Sequence, residues 1–157
     1  MKLFIKIFLF STTLIYFSCN SFFLKPREFE KEFKEFVLDS DSVMFDGDGL
    51  HPTYAFMKNG KIKGLEFNAN PECGSYVRRF FLDEDENINK IIIEKDYWSE
   101  HCGNPFDSLY VINILSNEIY IYTKETNGKL VKDLNKVENE LIDIQKYKNE
   151  IKNWHYR

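Results

Sequence analysis

Two cysteines and a histidine are the first residues to weigh for chemistry. Cys73 lies in Glu72-Cys73-Gly74 and Cys102 in His101-Cys102-Gly103. A structural zinc site takes four ligands, usually with cysteines grouped in close pairs. Cys73, Cys102 and His101 supply three, and neither cysteine belongs to a CxxC pair. On an extended chain the adjacent side chains of His101 and Cys102 point to opposite sides. The expectation is therefore a Cys73–Cys102 disulfide, with no metal and no cofactor. Closing a loop of about 30 residues stabilises a fold by roughly 3 to 4 kcal/mol in the chain-entropy model. The same bond removes either sulfur from consideration as a nucleophile.

Carboxylates form two further groups. Asp83, Asp85, Asn87 and Glu94 stand where a calcium-binding EF-hand loop has its first, third, fifth and twelfth residues. The sixth position of such a loop needs glycine for its bend, and here it is Ile88. The flanking residues also read as strands where an EF-hand has helices, so the segment is expected to be a solvated hairpin turn. Asp46 and Asp48 sit in Asp46-Gly47-Asp48-Gly49, close to His51-Pro52. Two carboxylates divide into acid and base only where their surroundings separate their pKa values. An exposed turn is the expectation, and Asp46 and Asp48 are kept as candidates for a hydrolase acting on envelope polymers. The chain has no GxSxG, no HExxH, no phosphate-binding glycine loop and no dinucleotide fingerprint. No catalytic residue is assigned, and a non-enzymatic role is favoured.

The elements that would position these residues follow from periodicity. Pro26 suits a first helical position, and Phe29, Phe33, Phe36 and Val37 recur at helical spacing, predicting an amphipathic helix over 26–38. The turn-rich run DSDSVMFDGDG ends it. Six strand patterns come next. TYAFM and KIKGLEF flank Asn59-Gly60, a strong hairpin signal because both residues tolerate positive φ. YVRRFFL and KIIIEKDYW flank DEDENIN, and SLYVINIL and IYIYTKE flank Ser116-Asn117. Short connections imply an antiparallel meander. Beyond Gly128, the spacing of Val131, Leu134, Val137, Leu141, Ile144 and Ile151 predicts a C-terminal helix of about 20 residues, roughly 30 Å long. The expected fold is α+β, a meander of about six strands with an N-terminal and a long C-terminal helix.

Charge narrows the function classes. The whole chain carries −4, and loss of residues 1–18, which contain two lysines and no acid, leaves −6. Residues 129–157 hold seven basic and five acidic side chains, so residues 19–128 carry −8. An acidic body without a basic stripe argues against nucleic acid. Seven glycines and four prolines among 157 residues, with 17% aromatics, are the composition of a folded domain rather than a disordered one.

The N-terminus supplies an address. Lys2 and Lys6 precede Ile7 to Phe17, a mostly apolar run too short to span a membrane and matched to a secretory signal peptide. The run ends at Ser18-Cys19. This segment resembles the signal of bacterial lipoproteins, in which an apolar residue and two smaller ones precede a cysteine that is lipidated before the chain is cut ahead of it. Tyr16 and Phe17 depart from the usual leucine and small residue. The resemblance covers residues 1–19 and implies a lipid on Cys19, processing before it, and a membrane-anchored position in the cell envelope facing the periplasm or exterior. Plain secretion, with cleavage after Ser21, is the first alternative and an uncleaved anchor the second. Lipidation would also leave Cys73 and Cys102 as a pair. The organisation expected is a signal peptide over 1–18, a lipidated cysteine and short tether over 19–25, and a single domain over 26–157.

One distribution bears on binding. On alternating strands Tyr110, Ile112 and Ile114 share a face, as do Ile119 and Ile121, whereas Tyr120 and Tyr122 project to the other. Trp98 projects opposite to Tyr97 on its own strand. An aliphatic face under the helices and a partly open aromatic face would make Trp98, Tyr120 and Tyr122 a surface for a partner protein or small ligand. Coverage of both faces would make the same residues core. The functional expectation is an envelope lipoprotein that binds without chemistry, set against the hydrolase alternative.

Overall fold

The computed structural model describes residues 21–47, 50–72, 74–97, 106–123, 129–131, 149 and 154–156. One helix, α1 (Ser21–Phe36), precedes β1 (Ser42–Asp46), β2 (Thr53–Lys58), β3 (Lys61–Ala69), β4 (Gly74–Leu82), β5 (Ile88–Tyr97), β6 (Phe106–Asn113) and β7 (Glu118–Thr123). Two short strands, β8 (Lys129–Val131) and β9 (His155–Tyr156), complete a nine-stranded antiparallel sheet in the order β8-β7-β6-β5-β4-β3-β2-β1-β9. Apart from β9, which pairs with β1, each strand lies beside its neighbour in sequence, as short connections require.

The six expected strands are β2 to β7, and their turns form as the residue types dictate. Asn59 and Gly60 have φ of 51° and 76°, the two positive values of a type I′ hairpin turn. Asn117 takes φ 56° between β6 and β7. In the turn after β4, Asp83 Oδ1 accepts the backbone N–H of Asp85 at 2.9 Å and of Asn87 at 2.8 Å, while Glu86 takes φ 62°. The carboxylate is spent on its own turn, and the segment is a hairpin between strands as expected.

Three differences stand against the sequence reading. β1 arises inside the run read as a turn, because Val43, Met44 and Phe45 pair with β2 on one side and Met44 and Phe45 with β9 on the other. The helix begins at Ser21 and not at Pro26, so the tether read over 19–25 is helical from Ser21 onward. Val131, read as the first residue of the C-terminal helix, instead ends β8 and pairs with Ile119. There it covers the edge of β7, whose backbone groups otherwise lack partners. Asn149 is helical, and residues 132–148 and 150–153 of the expected helix lie outside the described residues. The long C-terminal helix is therefore not supported.

Both faces of the sheet carry apolar clusters. On one, Met44, Ala55, Leu65, Phe80, Ile91, Ile112 and Ile119 form a continuous buried row across seven strands, with Trp154 packed into it. On the other, Phe29, Phe33 and Phe36 of α1 and Val37 just after it pack against Phe56, Phe81, Ile92 and Val111. Phe33 is only 1% exposed and meets Phe56 and Phe81 edge-on, with centroids at 5.6 and 5.2 Å. Gly64 lets the helix approach: a Cβ there would stand 2.6 Å from Val37 Cγ1 and 3.2 Å from two Phe33 ring carbons.

Candidate functional site

The C-terminal end of α1 meets the turns at 59–60 and 83–87, and a cleft of about 550 Å³ opens between them. Phe36, Ile62 and Leu82 supply its apolar lining, and Asp39, Lys58, Asn59, Lys61, Lys63, Asp83, Glu84 and Asn89 its polar one. The volume falls in the range of small-molecule sites, but Ile62 and Leu82 are buried, so the half-buried Phe36 is the main apolar side chain among charged and polar ones. The lysines are placed by the hairpin itself. Lys58 ends β2, Lys61 opens β3, and the β-bulge opposite Phe56 and Met57 sets the position of Lys63. Lys58 donates to the backbone carbonyl of Asp39 at 2.6 Å and reaches its Oδ2 at 3.2 Å, while Lys63 pairs with Asp39 Oδ1. Hydrogen bonds from Lys63, then from Lys58, hold the exposed Asp39 carboxyl below its ordinary value. Lys61 donates to the Glu84 carbonyl at 2.7 Å, and Lys63 also lies 4.9 Å from the centre of the Phe36 ring.

A second polar cluster sits on the α1 face. Register aligns Glu66, Arg79 and Ile92 in one cross-strand row, and Glu94 stands one step along. Arg79 Nε donates to Glu66 at 2.7 Å and Nη1 to Glu94 at 2.8 Å. The guanidinium is 7% exposed and the two carboxylates 19% and 22%. Asn68 Nδ2 completes Glu66 at 3.2 Å. Burial raises the Glu94 carboxyl above the ordinary glutamate value despite the opposing pull of Arg79. Glu30 of α1 is drawn in the other direction, mainly by its hydrogen bond with Lys34 and further by Arg79. Both sheet carboxylates share one guanidinium, so the arrangement is an ion-pair network that joins three strands beneath a helix.

On the opposite face, Arg78 stacks 5.1 Å from Phe67 and 5.3 Å from Tyr76, and Lys95 lies 5.0 Å from Tyr76 and 5.7 Å from Tyr110. The cleft beside Arg78, lined also by His51, Thr53, Phe67 and Tyr76, holds only about 160 Å³.

The residues singled out from sequence are distributed differently. Tyr120 and Tyr122 do share the face opposite Ile119 and Ile121, and that face is the one α1 occupies. Both are half-buried at the margin of the helix, with the Tyr122 ring 5.6 Å from Phe29 and the Tyr120 hydroxyl donating to Glu118 at 3.2 Å. Asp46 ends β1 on the surface, its Oδ1 accepting the Gly47 N–H at 2.8 Å. Cys19, Asp48, Cys73, Trp98, His101 and Cys102 lie outside the described residues. Among the described residues no group of three or more His, Cys, Asp or Glu is placed to hold a metal ion. None of their helices is long and apolar enough to cross a membrane.

Sequence reasoning missed both polar clusters. The lysines were visible as LysAsnGlyLysIleLys at 58–63, but only as the flanks of a turn. Glu66, Arg79 and Glu94 interrupt apolar alternation at one position in each of three strands, a signal that gains meaning only once the register is known. No protein-family model matches this chain, nor does any curated protein or solved structure.

Proposed function

We propose that this chain is a lipoprotein of the bacterial cell envelope, fastened to a membrane through Cys19, whose α+β domain binds a small ligand without chemical conversion. The observation that carries the binding half is the 550 Å³ cleft between α1 and the β2–β3 and β4–β5 turns, with its apolar lining and convergent charged groups. The anchor half rests on the apolar run that ends at Ser18-Cys19. Helix α1 starts two residues beyond Cys19 and ends at Phe36, which lines the cleft. A helix of 16 residues is about 24 Å long, so the anchor holds the domain close to the bilayer with the cleft a helix length away.

The Cys73–Cys102 disulfide belongs to the same proposal. Gly74 opens β4 and pairs with Tyr97, the last residue of β5. Cys73 immediately precedes Gly74 and Cys102 follows Tyr97 by five residues. Oxidised protein from the envelope should show no free thiol at either position. Alkylation of both in the native protein would remove the bridge from the account.

The test of binding is a fragment screen read by the methyl resonances of Ile62 and Leu82, which line the cleft. Saturable shifts confined to these and neighbouring methyls support the reading. A screen in which those methyls never move while the tyrosines at the α1 margin do would transfer binding to Tyr120 and Tyr122.

A further inference from the structure

The cleft has a charge arrangement that specifies a ligand class, an inference that rests on the cleft being a binding site. Lys58, Lys61 and Lys63 converge there although residues 19–128 carry eight more acidic than basic groups. Each ammonium has three N–H donors. Lys61 spends one on the Glu84 carbonyl and Lys63 one on Asp39. The lining carries three carboxylates, Asp39, Asp83 and Glu84, against the three lysines. Asp83 accepts from the N–H groups of Asp85 and Asn87, Glu86 nearby from that of Ile62 at 2.9 Å, and Asp41 from that of Asn59 at 2.6 Å while lying 4.0 Å from Lys58.

Asp39 differs from them. It stands on the turn after α1, its side chain 60% exposed, and its carboxylate reaches both Lys58 and Lys63. It thus occupies the position that an external anion would take, as an internal substitute from an exposed turn. The Lys58 side chain is 36% exposed and that of Lys63 22%, so the pair with Lys58 is the weaker of the two and the first to exchange for a better placed anion. Beside Lys63 the half-buried Phe36 ring, 4.9 Å from its Nζ, is the accessible apolar side chain of the lining, whereas Ile62 and Leu82, 4% and 3% exposed, belong to the core of the opposite sheet face.

We propose that the cleft takes a small anion, a carboxylate or phosphate attached to an apolar group, which displaces Asp39 from Lys58 and Lys63 and rests its apolar part on the Phe36 ring.

The experiment uses the full chain in nanodiscs of neutral phosphatidylcholine, with the Ile62 and Leu82 methyls as reporters. Phenyl phosphate, inorganic phosphate and benzyl alcohol are the probes. Phenyl phosphate should shift both methyls saturably. Its affinity should fall about threefold to tenfold in Lys61→Gln and Lys63→Gln, and rise by a similar factor in Asp39→Asn, as expected for one close charge at a partly exposed site. Lys61→Gln and Asp39→Asn should keep the parent melting temperature within about 2 °C, since they alter exposed groups, whereas Lys63→Gln, which alters a side chain 22% exposed and 4.9 Å from the Phe36 ring, is read against its own unfolding curve. Inorganic phosphate binding as tightly as phenyl phosphate would overturn the apolar half. Benzyl alcohol shifting the methyls where phenyl phosphate does not would overturn the anion and leave the cleft as a binding site. An unchanged affinity in Asp39→Asn would overturn the displacement. If no probe moves the methyls, both this inference and the reading of the cleft fall.

Discussion

Replacing Gly64 by alanine tests how α1 is held. Gly64 lies in β3 with ordinary strand φ, so alanine meets no backbone obstacle there. The obstacle is the helix. The new Cβ would stand 2.6 Å from Val37 Cγ1, closer than such atoms approach, and 3.2 Å from Phe33 Cε2 and Cζ. Phe33 cannot retreat, because Phe56 and Phe81 close on its ring at 5.6 and 5.2 Å. Val37 is β-branched, with few alternative rotamers. The end of α1 must therefore lift. Overpacking of this kind costs about 1 to 3 kcal/mol, and alanine recovers about 0.5 to 1 kcal/mol of the entropy that glycine loses in a strand. At a 2.6 Å contact the upper part of the overpacking range, about 2 to 3 kcal/mol, applies, so the net expectation is a loss of about 1 to 2.5 kcal/mol, read as a lower urea midpoint with an unchanged slope. Thermal unfolding should shift down by about 3 to 6 °C for a domain of this size. Val37→Ala removes the nearest obstacle, so the double variant should be less destabilised than the two single losses added together, by at least about 0.5 kcal/mol. A neutral or stabilised Gly64→Ala, with unchanged slope, would refute the close approach of α1 to β3.

The remaining predictions concern the ion-pair network and the helix margin. Arg79→Ala leaves Glu66 and Glu94 facing each other under α1 and should cost about 3 kcal/mol, whereas replacing all three by apolar residues of similar size should cost far less; equal losses in the two proteins would argue against a buried pairing. Glu94 has a raised folded-state pKa, so its contribution is fully present below the unfolded value of about 4.5 and is lost as pH rises through the folded one. Glu94→Gln should therefore flatten the decline in stability over that window, and a decline as steep as the parent's would assign it to another group. Tyr122→Ala, which loses the ring contact with Phe29, should destabilise by about 1 to 2 kcal/mol; a melting temperature unchanged from the parent's would instead free that tyrosine for partner recognition.

How much of this was legible in sequence varied with the range of the cause. The strands β2 to β7 were readable because alternation and turn chemistry are local: Asn59-Gly60 and Asn117 adopt the positive φ that their residue types predict. The apolar core of β1 is three residues, Val43 to Phe45, bracketed by Asp and Ser, and it becomes a strand through pairing with β2 and β9. No local pattern carries that. Val131 fits a helical repeat equally well, and the open edge of β7 decides for a strand. The division of Ile119 and Ile121 from Tyr120 and Tyr122 followed from the period of two, but which face the helix would take did not. Arg79 and its carboxylates are separated by 13 and 15 residues, so only the sheet register brings them together. Asp39 reaches Lys63 across 24 residues because α1 docks on the sheet and delivers the turn that follows it.

The most direct test of the central claim is the intact mass and N-terminal peptide of the protein extracted from membranes of the cell that makes it. The account predicts a chain that begins at Cys19 with a lipid attached to that residue, and a Cys19→Ala variant that is neither lipidated nor processed there. A chain beginning at Met1 or Phe22 with an unmodified Cys19 or none, or recovery of the unlipidated protein in the soluble fraction, would contradict it.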